Sequence, residues 1–178
     1  STSNVTLDMG DNGKLAFGHD SAHGGIDTIK DKMPTAGEEV WDDIGTGDDA
    51  GVTDVGADPS LYYSINLSGI TASASYARTG NGTDNSVAIV ASELVDGAEF
   101  GIGTATNAIS NTSEDDLLTA YGKYTTGAFT IGVQISETDK TAADSDITRE
   151  AAALSFAVNE NLSISYGIST VEYEASTK

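Results

Sequence analysis

The chain contains no cysteine, which removes disulfide staples, cysteine-ligated zinc and thiol nucleophiles together. Proline is nearly absent, with two residues, while glycine, serine, threonine and alanine dominate. Basic residues are scarce: 8 Lys and Arg stand against 28 Asp and Glu, for a formal net charge of −20. Phosphate backbones need clustered Lys and Arg, so this balance excludes nucleic acid as a partner. It suits cation attraction, calcium binding or solubility in salty surroundings. No stretch reaches the ~18 apolar residues of a transmembrane helix. Residues 1–10 lack the basic start and apolar run of a signal peptide, so the chain reads as mature or as missing its N-terminus. Membrane-spanning strands escape both tests, because they are short and alternate in polarity.

What the sequence does contain is period-two alternation. In "AFTIGVQIS", Phe129, Ile131, Val133 and Ile135 fall on one face, with Thr130, Gly132, Gln134 and Ser136 on the other. "LSISYGIS" sets Leu162, Ile164, Tyr166 and Ile168 against Ser163, Ser165, Gly167 and Ser169. The stretches "SLYYSINL" and "ITASASYA" repeat the pattern. Alternation predicts ten strands, near 4–10, 14–20, 60–67, 70–78, 86–95, 98–105, 116–126, 128–137, 149–158 and 162–173.

Tight turns are expected at Asp11-Asn12-Gly13, Ser68-Gly69, Asp96-Gly97, Thr126-Gly127 and Asn159-Glu160-Asn161. The intervening connections, 21–59, 79–85, 106–115 and 138–148, read as long, polar and mostly acidic. Short and long connections then alternate, as in a meander whose two ends meet different surroundings. A soluble sandwich uses Greek-key crossings; a transmembrane barrel has short turns at one end and longer loops at the other. One strand face is apolar and aromatic, while the other is small and hydroxylated and lacks the bulk to fill a dry core. The fold class expected is all-β: a transmembrane antiparallel up-and-down β-barrel with a wet interior. Aromatics near strand ends, among them Tyr62, Tyr76, Phe100, Tyr121, Tyr124 and Phe129, would form an interfacial girdle.

With those patterns in place, the chain resembles the general-diffusion porins of the Gram-negative outer membrane, particularly those of alphaproteobacteria. "NGKLAFGHD" (12–20) resembles the family strand that leads into the constriction loop. "TTGAFTIGVQIS" (125–136) and "YSINLSGITASASYA" (63–77) resemble its later strands and hairpin. Such barrels have about sixteen strands. The resemblance therefore implies that residues 1–178 are one porin domain in part, lacking N- and C-terminal strands. A closed ten-stranded barrel is the competing architecture.

The resemblance also makes 21–59 the candidate constriction loop of a passive channel for small hydrophilic solutes and ions. The loop carries Asp27, Asp31, Glu38, Glu39, Asp42, Asp43, Asp48, Asp49, Asp54 and Asp58 against Lys30 and Lys32. Carboxylates at a narrow section concentrate cations and repel anions, most strongly between low-dielectric walls. Trp41 is expected to anchor the loop on the barrel wall. Lys123, on the inward parity of its strand with Thr119 and Tyr121, is the mid-strand candidate for the facing basic wall. Arg78 and Arg149 fall at strand ends, nearer a rim. No cofactor is implied, although Asp42, Asp43, Asp48 and Asp49 resemble a calcium-binding loop without the EF-hand spacing. The implied partners are outer-membrane lipid and two further copies in a homotrimer, with phage or a surface layer as contacts for the outer loops.

Two other readings belong to different classes. A secreted, soluble acidic β-protein, such as a calcium-dependent adhesin or surface-layer piece, would pack the apolar faces against another sheet or chain. A ten-stranded barrel with a rim hydrolase would use His19 and His23 of "HDSAH", but neighbours in sequence do not make a triad.

Overall fold

In a computed structural model, the structure describes residues 3–19, 24–36, 60–92, 94–141 and 146–174. Ten antiparallel strands form one sheet in strictly sequential order. They are β1 (Ser3–Asp8), β2 (Lys14–His19), β3 (Ser60–Leu67), β4 (Ile70–Arg78) and β5 (Thr83–Ala91), followed by β6 (Ala98–Ser110), β7 (Ser113–Thr126), β8 (Phe129–Asp139), β9 (Ile147–Asn159) and β10 (Leu162–Tyr173). Among the described residues β1 and β10 do not pair with each other, so the sheet is open and the closed ten-stranded barrel is not formed.

Alternation sorts the side chains as the sequence predicts. On β8, Phe129, Ile131, Val133 and Ile135 are exposed on the outer face, while Gly132, Gln134, Ser136 and Thr138 are buried on the inner one. The outer face continues through Val87, Ile89, Ile102, Leu118, Leu154, Ile164 and Ile168, all exposed. A contiguous exposed apolar face of this size needs a cover. Near the turn end it carries Phe100, Tyr124, Phe129 and Phe156, with the Phe129 and Phe156 rings stacked at 4.5 Å. Tyr121 and Tyr62 do not join this aromatic row. Both take the inner parity of their strands, where Tyr121 is buried.

The expected rhythm of short and long connections needs correction. β6 and β7 run on until only Asn111 and Thr112 separate them, so most of 106–115 is strand. β5 starts at Thr83, opposite Arg78, because Thr79 N–H donates to Gly82 O at 2.9 Å and closes a tight turn. It also ends early, at Ala91, leaving Leu94 and Val95 exposed in a broader connection before Gly97. Where the strands run longer than expected the physical reason is shared: beyond the apolar belt polar residues occupy both faces, and alternation disappears while the ladder continues. Among the connections at that end, the one from β2 to β3 is by far the longest.

Candidate functional site

Residues 24–36, the start of the long connection, lie against the inner face of the sheet. Gly25–Ile29 forms a 3-10 turn. Ile26 and Ile29 are completely buried, packed in a cluster with Ala88, Ala105, Leu117 and Tyr121 of the wall. Ile26 N–H donates to Ser86 Oγ at 3.0 Å, and Ser86 Oγ lies 2.7 Å from Ser75 Oγ. Further along, Gln134 grips the segment through both ends of its amide. Its Nε2 donates to Lys30 O at 2.7 Å and to Ile29 O at 3.4 Å, and its Oε1 accepts from Lys32 N–H at 3.3 Å. Ala36 N–H then donates to Ser165 Oγ of β10 at 2.9 Å.

Strand register converts these contacts into a path. Residue rows run Ser86–Ala105–Leu117–Thr138, then Gly101–Tyr121–Gln134–Ala151, then Glu99–Lys123–Gly132–Ala153. The segment meets Ser86 in the first row, Gln134 in the second and Gly132 in the third. It therefore descends the wall towards the short turns as it crosses from β5 to β10. Gly132 permits the close approach: a Cβ there would sit 2.7 Å from Pro34 Cδ and 3.1 Å from Met33 Cε. Real Cβ atoms do not come within 3 Å of a ring carbon, so the small residue at this position is what lets Met33 and Pro34 lie flat on β8.

Charges on this surface come in pairs. Lys123 Nζ is 3.1 Å from Glu99 Oε1, directly opposite across the β6–β7 ladder, and both side chains are about a quarter exposed (26% and 27%). Tyr121 lies over Gly101 and donates its hydroxyl to the same Glu99 oxygen at 2.8 Å. Lys30 Nζ pairs with Asp27 Oδ1 at 2.8 Å. Towards β1, a groove of about 540 Å³ opens between wall and segment, lined by Lys14, Thr28, Lys32, Tyr62, Ser64 and Ser73 among others.

Of the site residues expected from the sequence, Lys123 is placed inward, though close to the Thr126 end of β7 rather than at mid-strand. Glu38, Glu39, Trp41, Asp42, Asp43, Asp48, Asp49 and Asp54 lie outside the described residues, and with them the candidate calcium loop. Among the described residues, no group of three or more His, Cys, Asp or Glu is arranged to hold a metal ion. Arg78 and Arg149 both lie near strand ends, as expected; Arg78 is exposed, whereas Arg149, third in β9, is buried and its Nη1 donates to Thr138 Oγ1 at 3.0 Å. Sequence reasoning missed Glu99 and the role of Gln134. The parity of "AEFGIGTA", with Glu99, Gly101 and Gly103 alternating against Phe100 and Ile102, was the available signal for the first.

The sequence profile of one family, described as Gram-negative porin, matches residues 1–178. A search of curated protein sequences returns no match. Among solved structures, a mutant of the Rh. blastica porin superposes with a TM-score of 0.57 at 16% identity, over 95% of this chain and 49% of its own. A porin refined at 1.8 Å resolution gives a TM-score of 0.52 at 16% identity, over 92% of this chain and 73% of its own. The chain thus spans about half the length of the first of these structures. The secreted β-protein gives way to the family match. The rim hydrolase falls with the family, whose members are not enzymes. The chain belongs to the Gram-negative porin family, a family of non-enzymatic channels of the outer membrane.

Proposed function

We propose that this chain builds the wall of a passive, water-filled channel for small hydrophilic solutes and ions. The observation that carries the reading is the division of one sheet into an exposed apolar outer face and a hydroxylated inner face, with residues 24–36 laid across the inner one. An outer face of Ile, Val, Leu and Phe fits lipid, and a wall of Ser, Thr, Gln and Gly fits water. An inward segment in such a barrel narrows the passage, which makes the β2–β3 connection its constriction loop.

Cation preference follows from the charge of that connection. Between 37 and 59 the sequence has Glu38, Glu39, Asp42, Asp43, Asp48, Asp49, Asp54 and Asp58 and no Lys or Arg. Fixed negative charge at a narrow, low-dielectric passage enriches cations and excludes anions. The clustered Asp42, Asp43, Asp48 and Asp49 would also attract calcium. The assembly is a homotrimer set in outer-membrane lipid.

The test is conductance of the full-length protein in planar bilayers. An ohmic current, with reversal potentials in a potassium chloride gradient that favour potassium, is the expected result. Absence of channel current from the folded protein would overturn the reading.

A further inference from the structure

We propose that Glu99 sets the charge preference of the inner wall by masking Lys123, so that the wall does not become an anion-attracting patch. This rests on the channel reading above. Lys123 is a lysine of the barrel wall that lies in the row where Met33 and Pro34 of the inward segment touch β8. A bare lysine there would attract anions and oppose the carboxylates of the connection. Glu99 stands directly across the ladder, with an oxygen 3.1 Å from Lys123 Nζ.

The carboxylate is also held in place. Tyr121 donates its hydroxyl to Glu99 Oε1 at 2.8 Å, and its ring is fixed over Gly101, where a Cβ would come within 2.9 Å of Tyr121 Cζ. One oxygen therefore takes both the lysine and the phenol. Both charged side chains keep about a quarter of their surface open, so ions in the lumen meet the pair rather than a buried bond. Opposite charges 3 Å apart look nearly neutral to an ion several ångströms away, whereas either charge alone does not.

The experiment measures the cation-to-anion permeability ratio of full-length variants in planar bilayers. A single unpaired charge near the path changes ion occupancy modestly in water-filled surroundings, so E99Q should lower the ratio about twofold and K123Q raise it about twofold. The charge-swapped variant E99K/K123E, which keeps the pair and reverses its order, should return to the value of the unaltered protein. Opposite single shifts with recovery in the swap support the proposal. Unchanged ratios in both single variants, single shifts in the same direction, or a swap that stays displaced would overturn it. If E99Q fails to fold, K123Q and the swap still decide. An unaltered protein without channel current would defeat the channel reading instead, whereas normal current with a constant ratio across all variants defeats only the role of Glu99.

Discussion

Gln134 is 3% exposed, and its amide meets two carbonyls and one N–H of a segment more than a hundred residues away in the chain. An aliphatic side chain at this position would leave those groups facing the wall without partners, at a cost of about 1–3 kcal/mol for the buried ones. Q134A is therefore expected to loosen residues 29–32 while the strands stay formed. The measurement is amide hydrogen exchange, which should quicken at least about fivefold at Lys32 and remain unchanged along β8, since about 1.4 kcal/mol is a factor of ten. Equal acceleration in β8 would mean that the sheet, not the segment, depends on Gln134. The sequence placed Gln134 on the hydroxylated face, because period-two parity needs only local residues. Its partners could not be read there, since the register that brings Lys30 beside it emerges only when five strands are stacked between them. Glu99 and Lys123 were hidden for the same reason: each has a readable parity, but their meeting depends on a hairpin whose turn lay in a stretch taken for a loop.

A strand such as β8 is a statement about two solvents. Its outer residues are large and apolar, its inner ones polar or glycine, and no position on either face breaks the rule from Phe129 to Ser136. Val133 is 57% exposed in the middle of that outer row. If the face meets lipid, V133R places a charge near the bilayer midplane and costs about 2–4 kcal/mol. If it met water, an exposed charge there would cost almost nothing. Folding into lipid vesicles under a urea series separates these outcomes: the midpoint should fall clearly for V133R, and the same midpoint for both proteins would place this face in water. The alternating cores of the strands were legible from the sequence for this reason, as the solvent contrast is written into every second residue. The strand ends were not, because β6 and β7 leave the apolar belt and carry polar residues on both faces, such as Thr106 bonded to Asp116 at 2.8 Å across the ladder. There the hydrogen-bonded ladder persists without a contrast to mark it.

At the scale of the whole molecule, two kinds of charge act over different distances. The net charge of −20 is spread over carboxylates that lie mostly outside the apolar belt and in the long β2–β3 connection. Glu99 and Lys123 form a local pair on the wall. Salt distinguishes them. Raising the ionic strength from about 0.1 M to 1 M shortens the screening length from roughly 10 Å to 3 Å. The long-range field of the connection then fades, so the cation preference of the unaltered channel should decline steeply over that range. The charge left bare in E99Q or K123Q acts on ions that pass beside it, over a distance closer to the screening length at about 1 M, so screening weakens it less. The difference between E99Q and K123Q in permeability ratio should consequently outlast the overall preference as salt rises. Reversal potentials measured at both salt concentrations give the answer. A preference that does not change with salt would locate selectivity in short-range contacts at the wall, and the acidic connection would then act on the width of the passage rather than on the sign of the ions that cross it.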